Sequence, residues 1–350
     1  MNWNTQSLRK GALVLLVVVL VRILLTCTLG KHVALFAQPQ PAAFLLADAV
    51  QEPDQEAEQP PEVTTEPPTE PTTEPPTEPV TEPTEPTETY RMPEVPEEGF
   101  KLEAADASCV EINYVAKKKF SVSEMLQDPL RWELAGEKPT VLIIHTHGTE
   151  AYTPVNGETY KEEGGVFRTT DKDHNMIAVG QELTRLLNAA GIKTVHDQTF
   201  YDYPDYEAAY DNARVGLKEQ LEQNSGIKLV IDLHRDAAQW EDGSQWATEA
   251  TIKGEKSAQV MLVVGTDTYY TNPNWEQNLS MALKLHAVME KTHPGSTRPL
   301  DLRNQRFNQD LQVGTVIAEI GAAGNTQREA MNAVSVLAEA IILLANGTQS

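Results

Sequence analysis

The sequence predicts an α/β fold: a single three-layer domain over residues 138–347, with a central, mostly parallel sheet flanked by helices. Two observations carry this. Apolar runs rich in Val and Ile recur at residues 140–146, 227–233, 257–265 and 315–320, and unbroken runs of that length read as strands buried on both faces. Stretches of helical periodicity lie between them, and strands alternating with helices imply a parallel sheet covered on both sides. A third observation bears on function. The runs end abruptly in ionisable residues, and open α/β sheets place their ligands just beyond the carboxyl ends of their strands.

The elements follow in chain order. Residues 13–29 are almost wholly apolar, behind Arg9 and Lys10 and interrupted by Arg22. Their length suits a membrane-spanning helix of about 17–25 residues. The alternative is a cleaved signal peptide ending at Ala34-Leu35-Phe36-Ala37. Either way, basic residues ahead of the span leave the N-terminus, residues 1–31, in the cytosol and membrane and place the rest outside. Residues 32–98 then read as a stalk. Within it, residues 51–98 hold 13 of the 22 prolines and 15 acids against the single base Arg91, in irregular Thr-Glu-Pro units. Pro, Thr and Glu cannot build a core, so an extended, disordered and self-repelling spacer is expected. At about 3.1 Å per residue it would reach on the order of 150 Å.

Residues 99–137 form an irregular lead-in with one short helical piece near 122–130. Strand 140–146 enters a Gly-, Thr- and Tyr-rich loop, 148–170. A helix follows over 172–190, ended by Gly191 as its C′ residue. Strand 192–196, helix 205–223 and strand 227–233 come next. Residues 248–256 have hairpin character, leading to strand 257–265. Helix 274–291, strand 315–320 and helix 326–344, capped by Asn325, complete the expected order.

Charge and cysteine content exclude several functions. The net charge is −23, of which the first 50 residues contribute +3 and residues 51–98 contribute −14, leaving −12 for residues 99–350. An acidic domain argues against nucleic acid, whose binders carry basic patches. Cys27 and Cys109 are the only cysteines, so no thiolate cluster is available and any metal must be held by His and carboxylate.

The chemistry concentrates at three strand ends. Val141-Leu-Ile-Ile-His145-Thr-His147-Gly-Thr-Glu150 delivers two imidazoles and a carboxylate. Asp232-Leu-His234-Arg235-Asp236 packs four ionisable groups into five residues. Glu319 sits where a buried strand should be apolar. His145 and His147 share a face if the strand continues; if it stops at Ile144, only one of them reaches a common site. Burial raises a carboxyl pKa, which suits Glu319 to general acid–base work. Together these residues match a hydrolytic zinc site, in which three protein ligands leave a fourth position for water. Arg235 is the nearest candidate donor to an oxyanion by sequence. Tyr152, Tyr203, Tyr206 and Trp240 are candidates for lining a substrate groove, with core packing as the alternative role that is favoured for each of them. His32, His174, His196, His286 and His293 read as structural or surface residues.

The segments VLIIHTHGTEAYTP, FRTTDKDHNMIAVG, HDQTFYDYPDYEAAYDNAR, LVIDLHRDA and RFNQDLQVGTVIAEIGAAGNT, spread over residues 138–345, closely resemble the stage II sporulation protein P family. These are membrane-anchored peptidoglycan hydrolases of spore-forming Firmicutes, related to zinc-dependent N-acetylmuramoyl-L-alanine amidases. The resemblance implies a Zn2+ enzyme of the cytoplasmic membrane, acting outside the cell on peptidoglycan during forespore engulfment. It implies cleavage of the amide between muramic acid and the stem peptide. Cleavage within the stem peptide, or wall binding without catalysis, are the alternatives. It makes His147 and His234 the matching metal ligands and Glu319 the matching catalytic acid. The acidic ligand is left between Asp171, in Asp171-Lys-Asp173-His-Asn175, and Glu150. Stage II sporulation proteins D and M are the partners implied.

Overall fold

The computed structural model describes residues 100–130, 133–155, 159–240 and 242–347. The expected membrane span and the stalk lie outside them. Nine strands occur among the described residues: β1 (Ile112–Tyr114), β2 (Val141–Ile144), β3 (Thr194–His196), β4 (Leu229–Asp236), β5 (Ala250–Ile252), β6 (Glu255–Ser257), β7 (Val260–Gly265), β8 (Leu300–Arg303) and β9 (Thr315–Ala322). The helices are α1 (Val122–Gln127), α2 (Met176–Ala189), α3 (Ala209–Gln223), α4 (Trp275–Thr292) and α5 (Gln327–Gly347), with a 3₁₀ turn at Ala104–Cys109.

Seven strands make one sheet in the order β1-β8-β7-β9-β4-β2-β3, and β5 and β6 form a separate hairpin. Every pairing in the large sheet is parallel except β7 with β9. The sheet is therefore two parallel blocks running in opposite directions and joined at that pair. Side chains alternate between faces along each strand. On one face, Ile231, Leu233, Val260, Leu262, Ala318 and Ile320 join the main core with α2, α4 and α5. On the other, Leu142, Ile144 and Val230 pack against Ala213 and Leu217 of α3. A sheet covered on both faces needs strands that are apolar throughout, and β2 and β7 are buried at every position.

Several boundaries shift for physical reasons. Helix α2 begins four residues later than expected because Asn175 caps it, its side chain accepting from the Ile177 N–H at 2.9 Å. Gly191 follows with φ 81°, the left-handed conformation expected at C′. At α5 the cap is Thr326 rather than Asn325. Thr326 accepts from the Glu329 N–H at 3.2 Å, and the Glu329 carboxylate accepts from the Thr326 N–H at 3.0 Å, a capping box. Asn325 is drawn off by the backbone of Thr248 and Ala322. Helix α5 is long and apolar enough to cross a membrane, yet its apolar side chains lie in the main core.

Strands β1 and β8 were not expected. β1 pairs in register with β8, Ile112 opposite Leu300, so part of the supposedly irregular lead-in is the sheet's edge. Within residues 237–246, the Trp240 N–H donates to the Ser244 carbonyl at 2.9 Å and the Trp246 N–H to the Ala238 carbonyl at 3.1 Å.

Candidate active site

Strand alternation and register assemble the site. On β4, Asp232 and His234 share the α3 face with Glu319 of β9, and His234 stands opposite Glu319 in the parallel pairing. Neighbouring strands lie about 4.8 Å apart, so this register alone sets the two side chains beside each other. β2 ends at Ile144, and the two histidines after it then part.

His147 turns toward α3. It is buried, stacks on Tyr206 with ring centroids 4.4 Å apart, and meets His234 edge-on at 5.3 Å. Arg168 lies over the far face of Tyr206 at 3.7 Å, a cation–π contact that extends the stack. The chain beyond His147 is held by Asp202, which accepts from the Thr149 hydroxyl at 2.5 Å and stands 4.0 Å from His147 Nδ1. Burial, followed by the charges of His234 and the two arginines, keeps His147 well below its ordinary pKa. It is therefore a neutral imidazole, the form that can ligate a metal.

His145 turns the other way, against α2. Its Nδ1 meets the Leu233 carbonyl at 3.0 Å and its Nε2 meets His196 Nε2 at 2.8 Å. A carbonyl only accepts, so Nδ1 carries the proton, Nε2 accepts, and His196 donates. Burial and the neighbouring His196 push its pKa down to about 3. With both nitrogens engaged away from His147, His145 is not a ligand of the same site.

The two rival acids also separate. Asp171 is on the surface, its side chain 45% exposed, where it accepts from the Asp173 N–H and pairs with His174 at 2.9 Å. It shapes the turn before α2, and among the described residues no contact joins it to His147 or His234. Glu150 is buried, its side chain 4% exposed, with Oε2 3.7 Å from His234 Nδ1 and accepting from the Arg235 N–H at 3.1 Å. Its carbonyl accepts from the Met176 N–H at 2.9 Å, tying it to the first turn of α2.

Arg235 departs from its expected role. It follows His234 on a strand, and alternation turns it away from the β4 face that carries His234. Its Nε donates to the Ala151 carbonyl and its Nη2 to the Phe167 carbonyl, both at 2.9 Å, while Nη1 lies 3.7 Å from Glu150. Phe167 adopts φ 52°, and its carbonyl also accepts from Ala151. Arg235 is thus a clamp on the loop that carries Glu150, not a donor to a substrate.

The remaining electrostatics are lopsided. Burial opposes charge on His234, but Asp232, Glu150 and Glu319 outweigh it and hold its pKa up to about 10. Asp232, although buried, is kept below its ordinary pKa by His234 and by the Thr146 N–H and hydroxyl, which donate to it at 2.8 and 2.6 Å. Burial, with Asp236 and Glu150, pushes Glu319 up to about 8. Three acids around one imidazole make a place that attracts a cation.

His147 Nδ1, His234 Nε2, Glu319 Oε2 and the Tyr210 hydroxyl are all buried without a hydrogen-bond partner. His234 Nε2 does lie 2.9 Å from Asp232 Oδ1, at ion-pair range but off the line of a hydrogen bond. Among the described residues no three His, Cys, Asp or Glu side chains are already gathered as a metal cage. In kind, however, the donors fit zinc: two buried imidazoles and a carboxylate, without thiolates. Of the aromatic candidates, Tyr206 stacks in the site, Tyr203 is exposed, and Tyr152 is core, its hydroxyl donating to the Ile320 carbonyl at 2.7 Å. Tyr210 was not anticipated. A tyrosine one residue into a helix leaves no signature in sequence.

Comparison with known proteins agrees with the earlier resemblance. The sequence model of the family Stage II sporulation protein P matches residues 37–342. Stage II sporulation protein P of Bacillus subtilis (strain 168) is 30% identical over 249 residues, covering 68% of this chain. The chain spans 58% of that relative's length. Among solved structures, the catalytic domain of CwlV, an N-acetylmuramoyl-L-alanine amidase from Bacillus (Paenibacillus) polymyxa var. colistinus, is similar at 13% identity. That similarity covers 58% of this chain and 96% of that one, with a TM-score of 0.35. The amidase Ami1 from Mycobacterium smegmatis is similar at 12% identity, over 62% and 100% of the two chains, with a TM-score of 0.37.

Proposed function

Because this chain belongs to the stage II sporulation protein P family, we propose that it is a peptidoglycan hydrolase of sporulation, cleaving the amide between N-acetylmuramic acid and the L-alanine of the stem peptide. The observation that carries the reading is the set of buried, unpartnered polar atoms of His147, His234 and Glu319 at the end of β2, β4 and β9. Native interiors rarely leave such atoms unsatisfied unless a ligand or ion completes them.

His147, His234 and Glu150 would hold zinc. Zinc, when bound, supplies Lewis acidity to the scissile carbonyl and lowers the pKa of a water toward about 7. Asp202 and Asp232 hold the chain segments on either side of His147, and the Arg235 clamp fixes Glu150. Glu319, its pKa pushed up to about 8 by burial, can take up and return a proton. As water oxygen bonds to the carbonyl carbon, its proton passes to the Glu319 carboxylate. When the C–N bond breaks, that proton goes to the departing amine. The products are the lactyl carboxylate on the glycan and a peptide with a free alanine amine.

The apolar residues 13–29 would anchor the chain in the cytoplasmic membrane, and the stalk would carry the site toward the wall. Stage II sporulation proteins D and M are the proposed partners, on the family resemblance.

Purified muropeptides incubated with the full chain, with and without chelator, test the reading by product mass. Intact stem peptide beside peptide-free glycan, abolished by chelator, is the expected result. Products cut inside the stem would make the protein an endopeptidase. Tight wall binding with no cleavage would make it a non-catalytic module.

A further inference from the structure

Tyr210 is the one tyrosine among the described residues whose hydroxyl is buried without a partner. Its neighbours show how unusual that is. Tyr152 donates to the Ile320 carbonyl, Tyr160 to the Tyr152 carbonyl, and Tyr201 to Asp197, each at 2.7 Å. A buried phenol usually finds an acceptor. Tyr210 has not been left loose, either. Its ring meets His147 edge-on at 5.6 Å and packs on Phe307 at 5.8 Å. Its carbonyl accepts from Asn308 Nδ2 at 2.8 Å. The ring is gripped on two sides, and the charged groups around its hydroxyl are Asp232, Glu319 and Glu150.

Four atoms without a hydrogen-bond partner belong to neighbouring side chains here, and their chemistry differs. The two imidazoles serve as metal ligands, His234 once it gives up its proton to the metal, and Glu319 is the carboxyl of the set. The phenol is the neutral hydroxyl of the set, able to donate without being charged. Arg235, the donor that sequence order favours, is spent on the Ala151 and Phe167 carbonyls. A hydrolytic site needs a donor where negative charge develops on the carbonyl oxygen.

We propose that the Tyr210 hydroxyl is that donor: it hydrogen-bonds the scissile carbonyl oxygen and holds it more strongly as the carbon becomes tetrahedral. The proton stays on the phenol throughout, so nothing in the proton transfer through Glu319 changes. This assignment rests on the amidase reading above.

Tyr210→Phe in the full chain tests it, since it keeps the ring contacts with His147 and Phe307 and removes only the hydroxyl. On a muropeptide substrate, kcat should fall by about 10²-fold, the usual effect of removing one oxyanion donor, with KM within about twofold. Affinity for a phosphinate mimic of the tetrahedral carbon should fall in parallel, while zinc content by elemental analysis stays unchanged. The melting temperature should hold or rise, because the hydroxyl satisfies nothing inside the folded protein. Tyr201→Phe, which removes a partnered hydroxyl away from the site, should lower the melting temperature and spare kcat. An unchanged kcat, a loss confined to KM, lost zinc, or a lower melting temperature in Tyr210→Phe would each overturn the assignment. If the wild-type chain cleaves no muropeptide, the amidase reading and this assignment fall together. If it cleaves and Tyr210→Phe is unimpaired, only this assignment falls.

Discussion

Gly180→Ala should destabilise this protein, against the usual rule for a glycine inside a helix. Gly180 lies in the second turn of α2, where alanine normally gains about 0.5–1 kcal/mol. Here a Cβ would sit 2.6 Å from both His145 Nε2 and His196 Nε2, and 2.7 Å from His145 Cε1. Ordinary contact needs about 3.5 Å or more, so the imidazole pair must part. His145 cannot simply rotate, because its Nδ1 is held by the Leu233 carbonyl. Overpacking costs about 1–3 kcal/mol. Losing the imidazole pair and leaving one buried nitrogen unsatisfied costs about 1–3 kcal/mol. Set against the propensity gain, the net is a loss of about 1–5 kcal/mol, read as a lower urea midpoint at unchanged slope. Zinc occupancy should fall with it, since His145 lies two residues before His147. In Gly180→Ala/His196→Ala the two costs should be less than additive, because both act on one contact. A Gly180→Ala chain as stable as wild type would refute the reasoning and with it the close helix–imidazole contact.

Three other outcomes follow from the geometry. Arg235→Lys should cost about 2–4 kcal/mol, as one ammonium cannot replace guanidinium bonds to two carbonyls, and limited proteolysis should then cut within residues 148–170. Stability should fall as pH drops from about 6.5 to about 4, in part through His286, whose pKa burial lowers to about 4. In that window the unfolded chain binds the proton and the folded one does not, a difference worth up to about 3 kcal/mol; subtracting the pH profile of His286→Gln isolates it, and identical profiles would remove the claim. Elemental analysis beside rate should separate ligand from base. His234→Ala and Glu150→Ala should lose zinc, whereas Glu319→Gln should keep it and lose about 10²–10⁴-fold in rate; zinc lost from Glu319→Gln alone would make Glu319 a ligand instead.

How much of this was legible in the sequence depended on what each residue's signal was. Strands β2, β4, β7 and β9 were readable because both their faces are buried, and that demand writes an apolar run. β1 and β8 were not: three or four residues carry no period, and the edge strand β1 has one half-buried and two exposed positions. The antiparallel β7–β9 pairing was unreadable in principle, since a strand's pattern is the same whichever way its neighbour runs. At the site, His147, His234, Glu150 and Glu319 stood out as ionisable residues at apolar strand ends. The choice of Glu150 over Asp171 needed the path of the loop, through the Glu150–Arg168 and Ala151–Asn175 bridges. Arg235 could have been read better, because adjacent residues on a strand point to opposite faces. Tyr210 left nothing to read, as its role lies in a missing hydrogen bond.

The pairing of His234 with Glu319 across β4 and β9 has a consequence for how such a chain can change. Their separation is measured by the sheet itself, a repeat that every parallel pair shares, rather than by any connecting segment. Eighty-four residues intervene, including a hairpin, a helix and two further strands. Insertions or deletions in the turns of that stretch, such as residues 266–274, leave the spacing of the two reactive groups where it was. Variation in length and variation in chemistry are therefore uncoupled, and new surface can be built between β4 and β9 without altering the spacing of His234 and Glu319.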